Sequence, residues 1–225
     1  MEQQGKCIII GAGDFTVCEI PDYNEEQDTV IAVDGGLMYC GLIDLEPDII
    51  IGDFDSLDEE FTQALLLIEA NYPEKVLRLK PEKDDTDMLV ALKWGLAKGY
   101  RSFHIYAGLG GRLEHSIANI QCLLYLTRQG AEGCLFEGDG CIFVLSSDGT
   151  YDKSKQFQPS MEGYLSLLSL EQNSVVTIEN MKYPLSRYTV TNDYPIGISN
   201  EFLPGVSGNI TLHSGAVALL LKWPC

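Results

Sequence analysis

The chain has 225 residues, 45% of them hydrophobic, with 33 Asp and Glu against 15 Lys and Arg for a formal charge of −18. At roughly 150 residues per domain that is one large domain or two small ones, long enough to bury a core without staples and too apolar for disorder. So negative a field repels nucleic-acid phosphates and anionic membranes, so neither is expected as a partner. Any phosphate the protein handles must be met through metal ions or local donors.

The opening segment MEQQGKCIII has no apolar stretch of signal-peptide length, and no segment approaches transmembrane length. Cys7, Cys18, Cys40, Cys122, Cys134, Cys141 and Cys225 show no C-x-x-C spacing. They read as reduced, mostly buried thiols of a cytoplasmic protein, and no zinc site is expected.

In chain order, Lys6–Ile10, Thr29–Val33, Ile49–Ile51, Lys75–Leu79, Ser102–Ala107 and Ala131–Phe136 read as short strands. They are continuously apolar, as strands covered on both faces should be. Helical patterns lie between them. Phe61, Leu65 and Ile68 share a face, as do Leu89, Leu92 and Leu96, and then Leu113, Ile117, Ile120 and Leu124. This alternation predicts an α/β, doubly wound, mostly parallel sheet with helices on both faces.

After about Leu145 the texture changes. Tyr164–Ser169, Val175–Ile178, Tyr188–Thr191, Asn209–His213 and Ala216–Leu221 are short strand-like stretches between turn residues, the pattern of a smaller antiparallel, sandwich-like β domain. Ser146-Ser147-Asp148-Gly149 reads as the junction, giving domains 1–145 and 146–225.

Ligands of an open parallel sheet bind outside the carboxyl ends of its strands, and the polar segments fall there. Asp34-Gly35-Gly36 follows the second strand and Gly52-Asp53-Phe54-Asp55-Ser56 the third. Lys83-Asp84-Asp85-Thr86-Asp87 opens a helix after the fourth, and Gly108-Leu109-Gly110-Gly111-Arg112 ends the fifth. Asp53 with Asp55, and Asp84 with Asp87 on one face of a first helical turn, are hard oxygen ligands suited to Mg²⁺. Taken singly, Asp84 or Asp85 is an ordinary helix cap. Gly35-Gly36 and Gly110-Gly111-Arg112 offer backbone N–H groups and a guanidinium to phosphate, or are tight turns. Gly11-Ala12-Gly13 lacks the third glycine of a dinucleotide fingerprint and is either a turn or a phosphate-facing loop. His115 contacts phosphate or caps local structure, whereas His104 and His213 read as structural.

These segments, in this order and spacing, resemble the thiamine pyrophosphokinase family. The match runs through Asp34-Gly35-Gly36, Pro47–Ser56, Lys83-Asp84-x-Thr86-Asp87 and Gly110-Gly111-Arg112-Leu113-x-His115 with Asn119. Met181-Lys182-Tyr183-Pro184-Leu185 and Ser199-Asn200-Glu201 resemble the family's thiamine-side segments. Glu114 and Met181 depart from it, where Asp and Leu are usual.

The resemblance implies transfer of a pyrophosphoryl group from ATP to the hydroxyl of thiamine, giving thiamine diphosphate and AMP, with Mg²⁺ as cofactor, in a homodimer with thiamine near the subunit interface. It makes Asp34, Asp53, Asp55 and Asp87 catalytic and Asp53, Asp55, Asp84 and Asp87 the metal set. Gly35, Gly36, Thr86, Gly110, Gly111, Arg112 and His115 would meet ATP; Tyr183, Ser199 and Asn200 would meet thiamine. Two other readings fit the acidic cluster. A Mg²⁺-dependent phosphohydrolase would release phosphate from ATP without an acceptor. A non-catalytic thiamine or nucleotide carrier would bind without consuming either.

Overall fold

The computed structural model describes residues 5–16, 20–55 and 57–222; Ser56, Cys18 and Cys225, named above, lie outside them. The chain divides into two compact units, Met1–Cys122 with Gln129–Gly138, and Leu123–Arg128 with Asp139–Cys225.

In the first unit, β1 (Cys7–Ile10), β2 (Thr29–Val33), β3 (Ile49–Gly52), β4 (Val76–Arg78), β5 (Ser102–Tyr106) and β6 (Glu132–Glu137) form a parallel sheet in the order β4-β3-β2-β1-β5-β6. The chain winds outward from β1 to β4 and returns to the other side of β1 at β5. The reversal lies between β1 and β5, where such sheets bind ligands. Every residue of β1 and β3 is buried, as the unbroken apolar runs predict. Ile8, Ile10, Val30, Ala32 and Ile50 form one core with Leu37 and Cys40 of α1 (Gly36–Leu42) and Leu65 of α2 (Glu59–Asn71). On the opposite face α3 (Asp87–Ala97) packs so closely that a Cβ on its Gly95 would stand 2.6 Å from the Phe103 ring and 3.0 Å from Cys7 Sγ. Helices thus cover both faces.

The last helix of this region, α4 (Leu113–Arg128), corrects one expectation. Leu113 is 72% and Ile117 51% exposed, while Asn119, Cys122, Leu123 and Leu126 are buried. Two i, i+3/i+4 stripes run along this helix, and periodicity alone does not choose between them.

The second unit is antiparallel. Its strands are β7 (Gly140–Ser147), β8 (Lys153–Gln156), β9 (Tyr164–Ser169), β10 (Asn173–Glu179), β11 (Leu185–Thr191), β12 (Asn200–Glu201) and β13 (Asn209–Lys222). β7 and β8 were not read from the sequence, and the two stretches expected at 209–213 and 216–221 are one strand. β13 joins two sheets. Its first half lies between β10 and β8, and its second half between β7 and β9. Gly215, at φ +90°, marks the change, and a Cβ there would meet Ser174 Oγ at 2.5 Å and Asn173 O at 2.7 Å. This is how one strand turns a corner between sheets.

Gly215→Ala combines a left-handed backbone with that clash. It is expected to cost about 2 kcal/mol or more, read as a fall in the denaturant midpoint without a change in cofactor-free secondary structure.

Candidate functional site

Asp34 ends β2 in the left-handed region, at φ +47°. Its Oδ1 accepts from Asp53 N at 3.2 Å and Phe54 N at 3.4 Å, so its carboxylate caps the turn that follows β3. That turn is itself bent through Phe54 at φ +62°. Gly52 is required here, because a Cβ on it would lie 1.9 Å from Asp34 Oδ1.

Asp87 opens α3, whose N-cap is Thr86, its hydroxyl accepting from Leu89 N at 3.2 Å. The cap is therefore neither Asp84 nor Asp85, and Asp84 does not share a first helical turn with Asp87. Asp84 precedes the cap and is exposed, and Asp85 Oδ2 pairs with Lys93 at 2.6 Å. Asp55 is also exposed, tied back by its N–H to Asp53 Oδ1 at 3.4 Å.

A residue given no role from the sequence organises this cluster. Lys83 Nζ stands 3.0 Å from Asp53 Oδ2 and 3.0 Å from Asp87 Oδ1, with all three side chains largely shielded. The contact to Asp53 is a hydrogen bond; that to Asp87 has ion-pair distance without hydrogen-bond geometry, which leaves Asp87 Oδ1 a buried oxygen with no hydrogen-bond donor. Burial alone would lower the Lys83 pKa, but the hydrogen bond to Asp53 and the adjacent Asp87 carboxylate outweigh it and raise it. The Lys83 bond holds the Asp53 carboxyl below the ordinary range. Asp34 moves the other way, to about 7, through its burial and then the nearby charge of Asp87. The sequence signal for Lys83 was the i, i+4 spacing to Asp87 inside an acidic run.

Among the described residues no three His, Cys, Asp or Glu side chains already form a metal cage. Mg²⁺ needs only one or two carboxylates, with water and phosphate completing its shell. Asp53 and Asp87 converge on one ammonium, and Asp87 Oδ1 is buried without a hydrogen-bond donor, so their hard oxygens are chemically fitted to it.

The Gly-rich segments lie at the same strand ends. Gly36 passes close to β1, since a Cβ would be 2.0 Å from Ile10 O, and Gly35 precedes α1 as its N-cap residue. Gly13 N bonds Ala107 O and Asp14 N bonds Leu109 O, so the Gly11-Ala12-Gly13 segment is fastened to the turn after β5. Gly110 has φ +81° and abuts the Asp14 carboxylate, whereas a Cβ on Gly111 would meet nothing. His115 is exposed, and so is Arg112, which pairs with Glu114 at 2.7 Å. The departure from the usual Asp at 114 thus supplies this guanidinium with an exposed, readily exchanged partner.

In the second unit, Asn200 is 2% exposed and its amide is engaged with the Tyr183 backbone. Its Oδ1 accepts from Tyr183 N at 2.9 Å and its Nδ2 donates to Tyr183 O at 2.8 Å. Tyr183 itself is 56% exposed, with Lys182 Nζ 5.6 Å from its ring centre. Ser199 is exposed at φ +56°, its N–H donating to Ser166 Oγ at 3.0 Å. His213 bridges Thr177 Oγ1 at 2.8 Å and Asp152 Oδ2 at 3.0 Å, a structural role as expected.

A parallel sheet with polar and Gly-rich turns at the carboxyl ends of its strands, followed by an antiparallel β unit, has the architecture of an α/β protein that takes its ligand at those strand ends. The description "Thiamin pyrophosphokinase, catalytic domain" matches residues 20–135, and "Thiamin pyrophosphokinase, vitamin B1 binding domain" matches residues 152–217. The chain belongs to the thiamin pyrophosphokinase family. It is similar to the thiamine pyrophosphokinase of Bacillus subtilis (strain 168), at 29% identity over 200 residues, 87% of this chain and 88% of that one. Solved structures share the fold. Thiamine pyrophosphokinase from Bacillus subtilis superposes with a TM-score of 0.83 at 24% identity, covering 98% of this chain and 100% of that one. Yeast thiamin pyrophosphokinase gives 0.78 at 13% identity, covering 100% and 88%. The activity is the ATP-dependent synthesis of thiamine diphosphate, and neither the phosphohydrolase nor the carrier reading is favoured. Among the described residues no helix is long and apolar enough to cross a membrane.

Asp34 supports a pH prediction. A carboxyl with its folded pKa raised to about 7 contributes stability that is present below the ordinary carboxylate range and lost as pH rises through 7. In chelator-treated protein, melting temperature should fall between about pH 5 and about pH 8, and fall less in Asp34→Asn, which keeps the Oδ1 acceptor and tolerates φ > 0.

Proposed function

We propose that pyrophosphoryl transfer takes place at the Asp34–Asp53–Asp87 cluster, with the first unit binding ATP and metal and the second binding thiamine and forming the dimer contact of a cytoplasmic homodimer. The observation that supports this is the convergence of Asp53 and Asp87 on Lys83, with Asp34 capping the same turn. Buried free thiols at Cys7, Cys40 and Cys122 suit a reducing compartment.

The thiamine hydroxyl oxygen attacks the β-phosphorus in line; the bond from that phosphorus to the α–β bridging oxygen breaks, and AMP leaves with that oxygen. Catalysis of such a step is mainly positioning and charge neutralisation. Asp53 and Asp87, with the Asp55 and Asp84 carboxylates nearby, would hold Mg²⁺, which would supply the positive charge that the polyphosphate needs. Asp34 orients or accepts the hydroxyl proton, which its raised pKa favours. Lys83 keeps Asp53 and Asp87 together before substrates arrive. Arg112, His115, Thr86 and the glycines Gly35, Gly36, Gly110 and Gly111 serve the polyphosphate. Tyr183 lies against the cationic heterocycle of thiamine, Ser199 beside its aminopyrimidine, and Asn200 fixes the Tyr183 backbone.

Incubation with ATP, Mg²⁺ and thiamine should yield AMP and thiamine diphosphate in equal amounts, with no phosphate released when thiamine is omitted. Asp53→Asn should lower turnover by at least about 100-fold while the protein remains folded. Normal turnover in that variant would remove the cluster from the chemistry.

Tyr183→Ala should raise the thiamine KM several-fold, up to about 30-fold, and leave the ATP KM nearly unchanged, since loss of an aromatic contact to a cation costs about 0.5–2 kcal/mol. A destabilised variant with normal kinetics would assign Tyr183 to packing.

A further inference from the structure

The turn after β5 has a shape that must be held from outside. Ala107, Gly110 and Gly111 all have left-handed backbone, at φ 50°, 81° and 59°. Four consecutive carbonyls of this turn are bound, and their donors alternate. Ala107 O accepts from Gly13 N at 2.8 Å and Leu109 O from Asp14 N at 2.7 Å. Gly108 O accepts from Asn119 Nδ2 at 2.7 Å and Gly110 O from Ser116 Oγ at 3.3 Å. The loop after β1 thus takes two of the carbonyls and α4 takes the others.

Ser116 and Asn119 are three apart and therefore neighbours on one face of α4. Asn119 is 8% exposed and Gly108 is buried, so the bond between them lies out of water, where neither group has an easy substitute. A trans peptide sets its N–H opposite its C=O. With Gly110 O tied to Ser116, the Gly111 N–H faces away from the helix, and Gly111 has open space beside its Cα. Side chains of α4 therefore decide which way the donors of this turn point.

We propose that Asn119 and Ser116 are positioning residues for pyrophosphoryl transfer. They hold the 108–111 turn in the form that presents its amides and Arg112 to the polyphosphate of ATP, without touching ATP themselves. This rests on the reading of that turn as a polyphosphate-holding segment. The hydrogen bonds of both residues go to the 108–111 turn and not to the acidic cluster, so their loss is expected to act on ATP use.

The experiment is steady-state kinetics of Asn119→Ala, Asn119→Asp, Ser116→Ala and Ser116→Thr, each substrate varied in turn, with thermal melting of each protein. Asn119→Asp keeps the size but removes the donor facing Gly108 O, and Ser116→Thr keeps the hydroxyl. Small displacements of positioning groups have large kinetic effects, so the ATP KM should rise about 10-fold in both Asn119 variants and about 3-fold in Ser116→Ala. Ser116→Thr should stay near wild type, and the thiamine KM should remain within about twofold throughout. Ser116 is only half-buried, so its variants fold even if those of Asn119 do not. Lowered melting temperature with an unchanged ATP KM, or equal changes in both KM values, overturns the proposal. Arg112→Ala separates the two levels. If it impairs ATP use while the Asn119 and Ser116 variants do not, only the positioning role fails. If it too leaves ATP use unchanged, the reading of the turn fails with it.

Discussion

Carboxylates gathered at the ends of buried strands repel one another, and two such charges about 4 Å apart near a protein surface cost about 4 kcal/mol if nothing intervenes. This protein intervenes in two ways. The Lys83 ammonium stands between Asp53 and Asp87, and Asp34 is driven toward its protonated form, with a pKa of about 7. Both depend on backbone detail. Gly52 has no Cβ, which leaves room for the Asp34 carboxylate; Phe54 turns through positive φ so that its N–H and that of Asp53 reach the same oxygen; Thr86 caps α3 and so fixes Asp87 at its first position. The arrangement remains short of positive charge, a property suited to a site that must receive a cation together with a polyphosphate. In a chain of net charge −18, attraction for ATP has to be local, and the Gly-rich turns and Arg112 are where the donors lie.

Much of the first unit was legible. Strands β1, β2 and β3 are nearly unbroken apolar runs because helices cover them on both sides, and their β-branched residues and short length favour strand over helix. Asp34, Asp53 and Asp87 were legible because acids seldom follow such runs without reason. Lys83 was legible only in part: its i, i+4 spacing to Asp87 is local, but its bond to Asp53, 30 residues away, leaves no local periodicity. The cap of α3 is Thr86 and not Asp84 or Asp85 for a similar reason: several residues in this stretch are competent N-caps, and only the actual start of the helix selects one.

The second unit was less legible. Its strands alternate inward and outward residues over short lengths, and β8, Lys153–Gln156, is exposed throughout. A strand paired through its backbone while presenting only polar side chains carries no hydrophobic signature. Asn200 shows the same limit. As a polar residue beside Ser199 it reads as a ligand contact, yet it is buried because its amide replaces the strand partner that the Tyr183 backbone would otherwise lack.

The position of β13 has a consequence for how the chain is assembled. It pairs with β7, β8, β9 and β10, all of which precede it in sequence. During synthesis each of those strands emerges before the one that joins them, and waits with an edge open to other chains. Local contacts can form early, but neither sheet closes until Asn209–Lys222 has left the ribosome, so the second unit completes late and through distant pairings, the slow kind. While it waits, β8 is protected by its own composition. Lys153-Ser154-Lys155-Gln156 carries two charges and no apolar side chain, and a strand of that kind makes a poor template for aggregation.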